Sequence, residues 1–151
     1  MLASVTRLRV RFVRYLPAFV WKTLLAQRQV VRTPGFCGGR LLVDARRTFW
    51  TLTVWESEQA MKAFRGSGAH ARVMPRLLDW CDEASYAHWI SANASVPDWP
   101  EVYEHLLSEG RLSRVAHPSP DHEIRRFARP RLKPLIGQDL KPVGSGRKSS
   151  A

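Results

Sequence analysis

Polar and apolar residues alternate from Thr6 to Phe12, with Leu8, Val10 and Phe12 on one side and Arg7, Arg9 and Arg11 on the other. A period of two over this length predicts a β-strand with one buried face. Residues 15–31 predict a helix: Leu16, Val20 and Leu24 recur every fourth residue with Phe19 close by, and Pro17 is tolerated in a first turn. Thr33-Pro34-Gly35 ends it. Two strands follow, at 40–45 and 49–55, joined by the short polar link 44–48 of a hairpin. In the second, Trp50, Leu52 and Val54 face one way, and Phe49, Thr51, Thr53 and Trp55 the other. Both faces are largely apolar or aromatic, whereas an antiparallel sheet with one wet face alternates. Helices against one face and a second sheet against the other account for the pattern.

Ser57 predicts the cap of a short helix carrying Met61 and Phe64, with Glu58 in its first turn. Gly66-Ser67-Gly68 interrupts it. A second helix carries His70, Val73, Met74, Leu77, Leu78 and Cys81 in one stripe, with Pro75 a point of kinking. Residues 84–90 read as a fourth strand. The order β-α-β-β-α-β is the ferredoxin-like α+β unit with an antiparallel sheet, its second helix broken in two. Beyond residue 90 the pattern predicts a loop, a short helix at 101–109 ended by Gly110, and an irregular basic extension whose prolines forbid long regular structure. The expected organisation is a domain at 1–92, an extension at 93–140 and a disordered tail at 141–151.

The chain has 151 residues, 44% of them hydrophobic, including six Trp and six Phe, which suits one domain with a core. A formal charge of +11 invites a nucleic acid or an anionic membrane as partner. Its distribution tempers that reading. Residues 1–110 carry 14 Lys and Arg against 10 Asp and Glu, and residues 111–151 carry 10 against 3. No reader signature accompanies the basic tail, which argues against nucleic acid as the main partner. Cys37 and Cys81 form no disulfide framework, as suits a reducing cytoplasm. Arginines at 7, 9, 11 and 14 interrupt the apolar N-terminal stretch, so neither an export signal nor a transmembrane segment is expected. No nucleophile elbow, phosphate loop or dinucleotide fingerprint is present. His117 and His122, with Asp121 and Glu123, match no dedicated metal spacing, and no metal site is expected.

Across residues 5–90 the chain resembles the dimeric α+β barrel family of antibiotic-biosynthesis-type monooxygenases. The resemblance is carried by Val54-Trp55-Glu56-Ser57 at a strand end, the apolar pair on the following helix, and the turn Ser67-Gly68-Ala69-His70. Pro34-Gly35-Phe36 with Gly38-Gly39 is similar to the family's entry to its second strand. Arg46-Arg47-Thr48-Phe49-Trp50 and the Ser67–His70 turn are similar to a branch near the spheroidene monooxygenases. The resemblance implies a homodimer whose two sheets pack face to face, an apolar small-molecule ligand, oxidoreductase activity, and haem as a cofactor to consider. The residue set of the family's haem-degrading members does not carry over. The first strand has no Asn, Asn93 being the only one in the chain, and Phe64 and Met74 fall where those members place Trp and His.

His70 is the candidate catalytic and cofactor-binding residue, since imidazole suits both proton transfer and haem ligation. A half-buried histidine hydrogen-bonded at a helix start is the plainer alternative. Trp50, Trp55, Phe64 and Met74 are the candidate ligand pocket, or else core packing, which aromatics dominate. Arg7, Arg9 and Arg11 either bind an acidic group or pair with carboxylates across the sheet. Three functional readings follow: a monooxygenase-like enzyme, a non-catalytic ligand-binding or accessory barrel, and an adaptor binding an anionic partner through the basic tail.

Overall fold

The computed structural model describes residues 1–93, 95–131 and 136–144. The ferredoxin-like unit is built from β1 (Leu2–Val10), α1 (Leu16–Val30), β2 (Phe36–Asp44), β3 (Thr48–Trp55), α2 (Glu58–Arg65), α3 (Gly68–Trp80) and β4 (Cys81–Ile90). The remainder contributes α4 (Trp99–Glu109), β5 (Arg111–Leu112), α5 (Pro120–Glu123) and β6 (Ile136–Leu140). Among the described residues six strands form one antiparallel sheet in the order β5-β4-β1-β3-β2-β6. The expected four-stranded unit thus sits at its centre, and the extension adds a strand to each edge. Residues 145–151, most of the expected tail, lie outside the described residues.

The first strand is shifted towards the N-terminus relative to its alternation. Leu2 and Ala3 already pair with Trp55 and Val54, while Phe12 falls beyond the strand end and is exposed. Its arginines take the structural alternative. Arg7 meets Glu83 of β4 at 2.6 Å, both side chains about 5% exposed or less, and Arg9 grips Asp82 with two hydrogen bonds of 2.9 and 2.7 Å. Removing one partner of so buried a pair costs about 3–5 kcal/mol, because the other charge stays uncompensated. Arg46 and Arg47 both have φ near +60°, costly for residues with a Cβ. Arg47 is held there by hydrogen bonds to the Val10 and Arg11 carbonyls.

The helix over α1 forms as its sequence predicts, but a different face is buried. Phe19 and Val30 point at the sheet, while Val20 and Leu24 are exposed. The helix is apolar around much of its circumference, so spacing alone does not select the inward side.

Helices α1, α2 and α3 cover one face of the sheet. The other face carries Ala3, Val5, Leu42, Trp50, Leu52, Ala87 and Trp89, which pack against Val102 and Leu106 of α4 and against Phe127. Asp98 starts α4 by accepting a hydrogen bond from the Glu101 amide at 3.0 Å. Double-sided burial of β3 is therefore real, but its cover is this chain's own helix rather than the expected sheet of a second subunit.

Candidate functional site

Strand register arranges the three-helix face of the sheet into four rows. Leu2, Trp55 and Phe36 form an apolar row at one end, and Leu8, Phe49, Val43 and Ala84 another at the far end. Between them lie two rows rich in polar groups, Ser4-Thr53-His88 and Thr6-Thr51-Tyr86. The helices follow the same division. One apolar cluster joins Val30, Met61 and Phe64 to the first row, and a separate one joins Phe19, Leu16 and Leu77 to the last. A band of hydroxyls and an imidazole thus runs beneath the helices, with Thr6, Thr51, Tyr86 and His88 half-buried. Thr53 donates to the Ser4 carbonyl at 3.4 Å, and the Tyr86 and His88 rings are 5.2 Å apart.

An aromatic wall closes one end of this band. Trp55 packs on Phe36 at 5.4 Å and on Phe64 at 5.3 Å, and Phe64 on His70 at 4.7 Å. Ser57 caps α2 by accepting from the Ala60 amide, which sets the helix carrying Met61 and Phe64 over Trp55. Gln29 of α1 then ties the α2–α3 junction down. Its amide nitrogen donates to the carbonyls of Phe64 and Ser67 at 3.2 and 2.9 Å, and its oxygen accepts from the His70 amide at 3.0 Å. Gly68 makes that approach feasible, because its φ is +58° and a Cβ there would sit 2.9 Å from the Gln29 side chain.

His70 Nδ1 lies 3.2 Å from the Arg65 carbonyl. A carbonyl only accepts, so Nδ1 carries the proton and the neutral ring presents its lone pair at Nε2. Burial, the largest cause, holds the His70 pKa below the ordinary histidine value, with the hydrogen bond to the Arg65 carbonyl opposing it and the Arg65 charge adding to it. His88 is lowered likewise, first by burial and then by Arg65. Both rings are therefore bases at neutral pH. Trp55 Nε1 is buried with no hydrogen-bond partner among the described residues, a donor in need of an acceptor. Cys81 is no nucleophile, since burial pushes its thiol up to about 12.

Of the residues singled out in the sequence, His70, Trp55 and Phe64 come together. Trp50 lies on the opposite face, against Trp99 at 6.3 Å and beneath the Arg7 guanidinium at 5.5 Å. Five positions from Trp55 on a strand, it has the opposite parity. Met74 is exposed on the outer side of α3. Sequence reasoning missed Tyr86, His88 and Gln29. The alternation of Ala84, Tyr86 and His88 against Ser85, Ala87 and Trp89 carried the signal for the first two, whereas nothing local marks Gln29.

His70 offers the lone pair that a haem iron takes, but the wall does not fit the macrocycle. Trp55 is fully buried between Phe36 and Phe64, and a haem beside His70 has to part that stack. Two open hollows among the described residues lie elsewhere. One of about 240 Å³ sits between Leu42, Trp99 and Gly137, and one of about 220 Å³ beside Trp89 and His105. Among the described residues no three His, Cys, Asp or Glu side chains gather as a metal site.

Residues 18–76 match the profile of the family described as antibiotic biosynthesis monooxygenase. No protein of curated function matches the chain. Several solved structures share the fold. A Nitrosomonas europaea protein named for these monooxygenases is 17% identical, with a TM-score of 0.55 over 62% of this chain and 100% of that one. A Mycobacterium tuberculosis protein is 13% identical, with a TM-score of 0.55 over 61% and 95%. A mutant of SnoaB, a cofactor-independent oxygenase from Streptomyces nogalater, is 14% identical, with a TM-score of 0.50 over 64% and 97%.

Proposed function

We propose that this chain, which carries an antibiotic biosynthesis monooxygenase domain, is a monooxygenase-like protein that takes an apolar small molecule between the sheet and α1–α3. The observation that carries the reading is His70: neutral, with Nδ1 fixed by the Arg65 carbonyl and its lone pair presented at Nε2, beside an aromatic wall. Such a base abstracts a proton from an acidic C–H or O–H of a flat substrate that meets the half-buried His70 at the outer edge of this wall. An electron-rich phenol or enol activated in this way can itself supply the electrons for reaction with oxygen. The description of SnoaB as cofactor-independent fits that chemistry.

The test is oxygen uptake with a panel of fused-ring phenols, comparing the parent with His70→Ala. Loss of a positioned base lowers the rate by about a hundredfold or more. Uptake that persists unchanged in His70→Ala removes the histidine from the chemistry. Kinship with the spheroidene monooxygenases is supported by Arg46-Arg47-Thr48-Phe49-Trp50 and Ser67-Gly68-Ala69-His70 alone. A homodimer agrees with this reading where its contact leaves α4 in place on the sheet.

A further inference from the structure

The chain from Arg11 to Arg28 turns an apolar, cationic surface to water. Phe12 and Val13 precede α1, and Val20, Trp21 and Leu24 lie along its outer side, the five being between 41% and 65% exposed. Pro17, Trp21, Leu24 and Arg28 stand at offsets 0, 4, 7 and 11, the spacing of one helix stripe, and all four are exposed. A buried helix hides such a stripe, yet Phe19 and Val30 take the inward positions here.

The charge on this stretch has one sign. No Asp or Glu occurs before Asp44, whereas Arg11, Arg14, Lys22 and Arg28 lie in or beside the apolar stripe. Unlike Arg7 and Arg9, the guanidinium groups of Arg11 and Arg14 meet no carboxylate among the described residues. They lie over Phe12 at 4.7 and 4.8 Å and donate to the Tyr15 hydroxyl. α3 packs beside α1 and adds exposed Met74, Arg72 and Arg76, with Asp79 its one acid.

We infer that the outer face of α1, with the turn before it, docks on an anionic phospholipid surface. Trp21 is an amphipathic side chain suited to the headgroup boundary, and Phe12, Val20 and Leu24 reach the acyl edge. The flanking cations find phosphate and carboxylate partners there. A second copy of the chain is a poor occupant, because it would set Arg11, Arg14, Lys22 and Arg28 against like charges. A nucleic acid backbone offers nothing to cover Val20 and Leu24. The helix lies on the membrane rather than across it: no described helix is long and apolar enough to span a bilayer.

The experiment is co-sedimentation of the full chain with vesicles of phosphatidylcholine alone and of phosphatidylcholine mixed with phosphatidylserine. Binding to the anionic vesicles, weakened by added salt, is expected. The double variants Trp21→Ser/Leu24→Ser and Arg14→Gln/Arg28→Gln should each bind about tenfold or more weakly, with unchanged circular dichroism because these side chains are exposed. Trp21→Phe should keep binding but lose tryptophan quenching by brominated lipid. The inference is overturned by absence of binding to either vesicle. It is equally overturned by binding that survives Trp21→Ser/Leu24→Ser, which assigns it to the basic tail. A dimer in solution that this same variant dissociates also overturns it, giving the face to self-association.

Discussion

His70 on the helical layer and His88 on the sheet are both held below the ordinary histidine pKa of 6.5, with burial the first cause for each. A depressed folded-state pKa means that the unfolded chain binds protons more readily as the pH falls. The two neutral rings therefore contribute stability that is fully present above about pH 6.5 and is lost as the pH drops through their folded-state values. Thermal unfolding followed from pH 7.5 to 5 should show a falling midpoint, and the slope should flatten in His70→Gln and in His88→Gln. A midpoint that rises on acidification, or a slope indifferent to both substitutions, contradicts the assignment. The same direction keeps the proposed base in its active form across neutral pH.

At the scale of elements, the α2–α3 junction is held by one side chain from α1. Gln29 satisfies two carbonyls and one amide where a helix ends and the next begins, a place where backbone groups lack helical partners. Gly68→Ala adds a Cβ 2.9 Å from that side chain at a φ of +58°. The substitution should cost about 1–2 kcal/mol and loosen the seat of His70. Chemical denaturation reads the first effect, and the imidazole signals of His70 in an NMR titration read the second. An undisturbed titration curve with full stability shows that Gln29 is a bystander. The same junction shows how motif and structure meet. Ser67-Gly68-Ala69-His70 is legible in sequence as a turn before a helix, but its anchor is 38 residues upstream of Ser67.

For the whole molecule, the decisive feature is that the α4 face is closed from within. Val102 and Leu106 are fully buried on Trp50 and Leu52, together with Phe127. Leu106→Asp places a carboxylate in that interior and should destabilise the subunit itself by about 3 kcal/mol or more. The measurement is thermal unfolding beside mass in solution. A variant that keeps its unfolding temperature and merely dissociates a dimer shows that α4 instead seals a contact between subunits. The extension is thus part of the sheet's cover and of both its edges.

The sequence by itself determined the order of elements up to residue 90, the two faces of β3 and the turn chemistry around Ser57 and Ser67, because alternation and caps are properties of neighbouring residues; the edge strands β5 and β6 in the extension, expected to be irregular, were not legible. Strand parity also set Trp50 and Trp55 on opposite faces, which the candidate pocket that joined them overlooked. Only the tertiary structure decided what lies opposite each face. Periodicity says that β3 is covered on both sides but carries no record of whether α4 or another subunit does it. It cannot choose the inward side of α1, where Phe19 and Val20 are equally apolar. Nor can it place His88 beneath the helix layer that carries His70, because that meeting depends on strand register and helix packing between residues far apart in the chain.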